Sequence, residues 1–425
     1  MSLLICGGVV VDPAQGLEQP LDLLIEGELV TALEPPGTIP VAGHRVIAAQ
    51  GLVVTPGLMD MHVHLREPGE EYKETIESGS RAAVQGGFTA VAAMPNTNPV
   101  NDTASVTRFI LDQARRAGLA RVYPVGAISL GSQGRALSEY GDLKAAGVVA
   151  LSDDGRPVMN PILMRRALEY ARTFGLPIIS HCEDLELRGG GVMHEGRTSL
   201  ELGLWGIPAA AEETMVFRDL VLARLTGGRL HIAHVSTKGA VALIRRAKAE
   251  GLAVTAETAP HYFTLTDEAV KGYDTNAKVT PPLRTAADVQ AVKEGLADGT
   301  LDAVASDHAP HSTLEKDVEF AAAAFGLIGL ETSLGLTLKL VHDGTLALHQ
   351  AVAALSTNPA RILGVAGGTL KVGASADITL IDLNREWQVD VATFASKSRN
   401  CPFHGYTLKG RAVMTIMGGK VVWQE

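Results

Sequence analysis

The chain is poor in cysteine, with only Cys6, Cys182 and Cys401 among 425 residues. An odd, scattered set without C-x-x-C spacing excludes a disulfide framework and fits a reducing cytoplasm. No uninterrupted apolar run approaches the ~20 residues that a bilayer span requires, so no membrane helix is expected. The start, Met1-Ser2-Leu3-Leu4-Ile5, lacks the basic residues and long apolar core of a secretory signal. Dense Lys/Arg clusters are missing as well, and the formal net charge is −10. Such a surface is wrong for tracking phosphates, so nucleic acid is not an expected partner. No G-x-G-x-x-G follows the first apolar strand, which weighs against a doubly wound dinucleotide fold. The expectation is a soluble, cytoplasmic protein.

What is present is core-forming: 46% hydrophobic and 20% charged residues, in a length that suits one large barrel plus an accessory domain. Up to Val54 the chain reads as short strands without helices (Leu4-Ile5, Val9–Val11, Leu21–Ile25, Arg45–Ala48). The other end repeats that character at Asp377–Asp382, Arg411–Ile416 and Lys420–Trp423. Each end alone is too small for a good core, so the two are expected to pair into one small β-sandwich. Between them strand and helix patterns alternate. Strands are expected at 57–65, 89–95, 121–129, 148–154, 176–183, 230–236, 253–259 and 303–308, the count of a closed barrel. The fold class is thus α/β: a (β/α)8 TIM-like barrel with a small β-sandwich built from both chain ends. The expected division is 1–55 and 365–425 for the sandwich and 56–364 for the barrel.

In such barrels functional groups gather at the carboxyl ends of the strands. The first of these ends carries His62 and His64, which alternation places on one face with Val63 opposed. Alone, that pair fits either a metal site or two satisfied core histidines. Further ends carry Asn96, Asp153-Asp154, His181, His234 and Asp307-His308. Histidine or aspartate therefore marks five of eight active-face ends in a chain with only 13 histidines. Parity puts Asp154 inward with Ala150 and Ser152. It groups His234 with Ile232 and leaves His231 on the other face in a structural role. His194, His342 and His349 lie away from strand ends and are expected to be solvated, and Cys182 is expected to pack. Four histidines and two aspartates suit two divalent ions, zinc foremost, with one carboxylate bridging; one single ion is the simpler alternative.

Two stretches, Asp60–Pro68 and Ala305–His311 with Lys316 following, resemble the amidohydrolase superfamily and, within it, the hydantoinase-like bacterial dihydroorotases. The similarity runs essentially the whole length. It implies reversible closure of N-carbamoyl-L-aspartate to L-dihydroorotate in de novo pyrimidine (UMP) synthesis. The resemblance assigns one ion to His62, His64 and Asp307, the second to His181 and His234, and the bridge to Asp154, giving two Zn2+ per chain that also share a hydroxide. Asp307 becomes the acid/base. Hydantoinases and allantoinases, the alternative cyclic-amide hydrolases, generally carry a carboxylated lysine where this chain has Asp154. A non-catalytic subunit of a carbamoyltransferase complex is the other alternative, and such proteins usually lose metal histidines.

The implied substrate contacts are His64, Leu65, Arg66, Asn96, His311 and the backbone at Phe325-Gly326. Arg66 offers the planar fork that matches a carboxylate. Thr280 stands where the family usually has asparagine, so one donor replaces two. Segment 312–324 is expected to be a mobile cover. A homodimer, and an association with aspartate carbamoyltransferase, complete the expectations.

Overall fold

The computed structural model describes residues 2–425. Helices start and stop where the sequence supplies caps. Thr75 accepts from Ser78 N at the head of Ile76–Gln85. Asn160 caps Pro161–Thr173, whose first residue is a proline that needs no partner for its missing N–H. Helix Ala104–Ala117 ends at Gly118, whose φ of 62° suits glycine.

Eight parallel strands form the barrel: Leu58–Val63, Phe88–Ala93, Arg121–Gly126, Ala150–Leu151, Ile178–Ser180, Leu230–Ile232, Val254–Thr258 and Ala303–Val304. The sheet closes through a parallel bridge between Val63 and His308, where His64 N donates to His308 O at 2.9 Å. Outward residues such as Leu58, Phe88, Val122, Leu151 and Ile232 pack into the helix layer. The interior is lined by smaller or unbranched side chains, among them Met59, Met61, Ala90, Ala150 and Ala233.

The fourth and eighth strands are shorter than the expected 148–154 and 303–308. Their ladders end at Leu151 and Val304, and a few residues further on the chain turns, with φ 39° at Gly155 and 49° at Asp307. Asp154 and Asp307 therefore stand on turns just past the strands.

The two chain ends share one core, as expected. A four-stranded sheet from the N-terminal end faces a six-stranded sheet that mixes Val9–Asp12, Leu17–Pro20 and Val53–Pro56 with Ile378–Gln388, Thr407–Met417 and Lys420–Gln424. Ile5, Leu23 and Ile25 pack there with Ile378, Leu380 and Ile416. Each fully buried aliphatic chain contributes roughly 1.5–3 kcal/mol. Among the described residues no helix is long and apolar enough to cross a membrane.

Candidate metal centre

The centre is assembled from five strand ends, and the first is held in place by a buried carboxylate. Asp60 accepts from His62 N and from Ser306 N, each at 3.1 Å, and so locks the end of strand one to that of strand eight. The pairing of strands one and two shifts register between Asp60 and Val63. This bulge interrupts plain alternation and still brings both imidazoles to one point, with ring centroids 5.4 Å apart.

Asp154 is the hub. Its Oδ1 lies 3.3 Å from each of His62 Nε2, His181 Nδ1 and His234 Nε2, and its Oδ2 lies 3.5 Å from His64 Nε2. Asp307 Oδ1 lies 3.2 Å from His64 Nε2 and 3.7 Å from His62 Nε2. All six groups are buried. His234 and Asp307 reach the centre through left-handed backbones, φ 34° and 49°, and Arg66 beside them has φ 64°. Such conformations cost of order 1–3 kcal/mol each and concentrate at functional sites.

The parity reading of strand six is corrected here. His231 shares the barrel interior with Ala233, and His234 turns inward only because of its positive φ. His231 Nε2 lies 3.3 Å from Glu257 Oε2, and Glu257 Oε1 lies 2.6 Å from His62 Nδ1. Glu257 is thus a functional carboxylate that the strand-end scan misses. Its signal is present in strand seven, where Thr255 and Glu257 alternate with the outward Val254 and Ala256. His261 is missed too. It is buried beyond the same strand, neither ring nitrogen has a partner, and burial lowers its pKa to about 4. His194 is likewise corrected: it is buried, with Nδ1 3.2 Å from Arg284 Nη1. His342 and His349 are exposed as expected, and Cys182 packs in the core.

Electrostatically the site calls for cations. Burial pulls His62 and His181 toward neutrality, yet Asp154 with Glu257 or Glu183 overrides it and raises both, His181 to about 10. The imidazoles in turn hold Asp154 and Asp307 below the usual carboxylate range in spite of burial. Divalent ions would replace those protons. Two groups of donors, His62/His64/Asp154 and Asp154/His181/His234, each gather within 4.8 Å. His62 Nε2 is buried without a hydrogen-bond partner, while Glu257 occupies the other nitrogen of that ring. Asn96 Oδ1, 2.8 Å from His64 Nδ1, fixes that ring in the same way.

Residues 51–240 match the family described as dihydro-orotase-like, and residues 204–423 match the amidohydrolase family. A dihydroorotase of Citrifermentans bemidjiense is 58% identical over 424 residues and covers 100% of each chain. Another, from Syntrophobacter fumaroxidans, is 59% identical over 98% of this chain and 95% of its own. The chain belongs to the dihydroorotase family. The solved L-hydantoinase (dihydropyrimidinase) of Arthrobacter aurescens matches with a TM-score of 0.88 at 26% identity, over 99% of this chain and 96% of that one. This dihydroorotase-family chain is accordingly a metal-dependent cyclic amidohydrolase, and its buried donors fit that chemistry.

Beside the dihydroorotase-family centre lies a cavity of about 270 Å3, lined by His64, Arg66, Asn96, Thr280, His311, Phe325 and Gly326, among others. Arg66 Nε donates to Pro310 O at 3.1 Å, and Nη1 stands 3.9 Å from Glu70. His311 Nε2 lies 2.8 Å from Phe325 O, and burial beside Arg66 lowers its pKa to about 3. Gly326 N donates to Lys278 O. Leu65 departs from expectation: its side chain packs into the helix layer and is absent from the cavity wall. Thr280 donates to Glu183 at 2.7 Å, so its single hydroxyl proton is already used.

Segment 312–324 is tied down. Lys278 Nζ donates to the carbonyls of Phe320, Ala321 and Ala323, and Lys316 Nζ to those of Ala324 and Gly326.

Proposed function

We propose that this chain closes N-carbamoyl-L-aspartate to L-dihydroorotate with loss of water, reversibly, in pyrimidine (UMP) synthesis. The observation that carries the reading is the convergence of six buried donors from distant strand ends, with a buried guanidinium at their rim. His62, His64 and Asp307 would hold one Zn2+, His181 and His234 a second, and Asp154 both. When bound, two such ions lower the pKa of a shared water toward neutrality and polarise the amide carbonyl.

The chain's own groups do the rest. In ring opening, Asp307 takes the proton of the attacking water and delivers it to the leaving ring nitrogen; closure retraces the path. The surrounding imidazoles keep its carboxyl ionised. Arg66, with Asn96 and His311, holds the carboxylate that stays outside the ring. Phe325 and Gly326 shape the opposite wall.

The division into 1–55, 56–364 and 365–425 goes with this reading. So does a homodimer, supported by Phe217, Val221 and Leu225, exposed one turn apart on helix Ala210–Thr226. Three free cysteines fit the cytoplasm. An association with aspartate carbamoyltransferase rests on the family resemblance alone.

The test is hydrolysis of dihydroorotate by purified protein, with and without chelator and added zinc. Turnover that chelator abolishes and zinc restores is expected. Turnover of hydantoin or allantoin in place of dihydroorotate would overturn the assignment, and inert metal-loaded protein would favour the non-catalytic subunit.

A further inference from the structure

Outside the metal cavity lies a second, larger chamber of about 570 Å3, within the range of about 300–1,000 Å3 typical of small-molecule sites. Its walls come from the segments after strands three, four and five. The two spaces share Gly155 and Arg188, so the chamber adjoins the metal cavity.

Its chemistry is one-sided. Arg135, Arg156 and Arg188 line it, and no carboxylate does. Arg188 is anchored, with Nη1 3.1 Å from Glu183 and its guanidinium 4.8 Å from the Phe325 ring centroid. Arg135 and Arg156 are exposed and make no ion pair among the described residues. On the same wall, Ser132 is 6% exposed, with its hydroxyl turned to the Asp153 carboxylate.

This local excess of positive charge sits on a chain of net charge −10, whose overall field repels anions. The ring-closing substrate of the proposed function is a dianion with two carboxylates, whereas the ring product keeps one. A small dicarboxylate faces the stronger repulsion and gains most from a cationic forecourt. We propose that Arg135, Arg156 and Arg188 form an outer subsite that holds the open-chain ureido diacid beside the metal cavity before closure and after ring opening. The occupant rests on the proposed function; the anion site itself does not.

The test uses the metal-loaded enzyme and two dianions. Succinate, inert toward the chemistry, is titrated by calorimetry, and N-carbamoyl-L-aspartate is measured as product inhibitor of dihydroorotate hydrolysis. An exposed guanidinium is worth about threefold in binding, so Arg135→Gln with Arg156→Gln should weaken both dianions about tenfold. The KM for dihydroorotate should move by no more than about twofold, since only one charge is read more weakly at that range. Added salt should weaken succinate binding to the wild type more than to the double variant, which keeps only Arg188. Arg135→Lys with Arg156→Lys should restore most of the loss, because the charge is kept.

Equal succinate binding by wild type and double variant would overturn the subsite. A rise in the dihydroorotate KM as large as that in the dianion constants would overturn it too, since the arginines would then act on the inner cavity. If dihydroorotate is not turned over at all, the catalytic reading falls, while the succinate titration still decides whether the anion site exists.

Discussion

At the scale of single residues, the centre depends on which nitrogen each imidazole presents. Glu257 occupies His62 Nδ1 and Asn96 occupies His64 Nδ1, so both rings are left with Nε2 toward Asp154 and Asp307. Glu257 also faces His231, and between them these contacts hold its pKa down to about 2 in spite of burial. Replacing this carboxylate by an amide keeps the volume and removes the charge that orients the ring. Glu257→Gln is expected to lower metal affinity by about 10–100-fold, as is usual for partners behind the ligands. Competition with a chromogenic chelator reads it, and an unchanged far-ultraviolet spectrum would show that the barrel persists. Identical affinity would remove Glu257 from the support of the centre.

Among elements, the segment after strand eight shows how buried charge can organise backbone. Residues 312–324 contain one short helix, Thr313–Lys316, and otherwise have little regular structure to satisfy their carbonyls. Lys278 and Lys316 do so from beneath. Burial lowers both ammonium groups, to about 8 and about 7, which marks how little water reaches them. Lys316→Met keeps the aliphatic length but strands the acceptor of Ala324, at about 1–3 kcal/mol for a group left unsatisfied, while Gly326 O keeps its bond from Asn400 Nδ2. The expected outcome is a lower melting temperature and new proteolytic cleavage within 312–324, with metal content unchanged. Protease resistance equal to that of the wild type would show that the segment is held by other contacts. A mobile cover is a reasonable expectation for a strand-end loop rich in alanine; the lysines that pin it come from 42–45 residues away and from the loop itself.

For the molecule as a whole, pH dependence reports how the layers are joined. Glu331, on helix Leu330–His342, accepts from Ala395 N at 2.7 Å, and burial raises its pKa to about 7 from 4.5. The folded state therefore binds this proton more tightly than the unfolded chain does. Below about pH 4.5 both states are protonated and nothing is lost; as pH rises through 7, folding must bear an ionised, half-buried carboxyl. Stability from this group thus falls between pH 4.5 and 7, by on the order of 3 kcal/mol. Glu331→Gln should remove that slope, so its melting temperature should gain on the wild type steadily from pH 4.5 to 7. Parallel curves would refute the raised pKa.

Much of this architecture was legible beforehand because its signals are local. Alternating apolar periods mark the barrel, the β-rich ends mark the sandwich, and histidine or aspartate at successive strand ends marks the centre. His62, His64, Asp154, His181, His234 and Asp307 were all named from such patterns and a family resemblance. By itself, then, the sequence determined the order of elements, the two ends that had to share a core, and which histidines and aspartates form clusters able to hold metal. Only the tertiary structure decided which neighbour turns inward at strand six, where a left-handed backbone overrides alternation, and which carboxylate stands behind His62. It also decided that Leu65 faces the helices and that three arginines from separate loops meet in one chamber. Periodicity fixes a side chain's face only while the backbone stays extended; at the turns where this chain does its chemistry, backbone sterics and closure of the barrel set the direction.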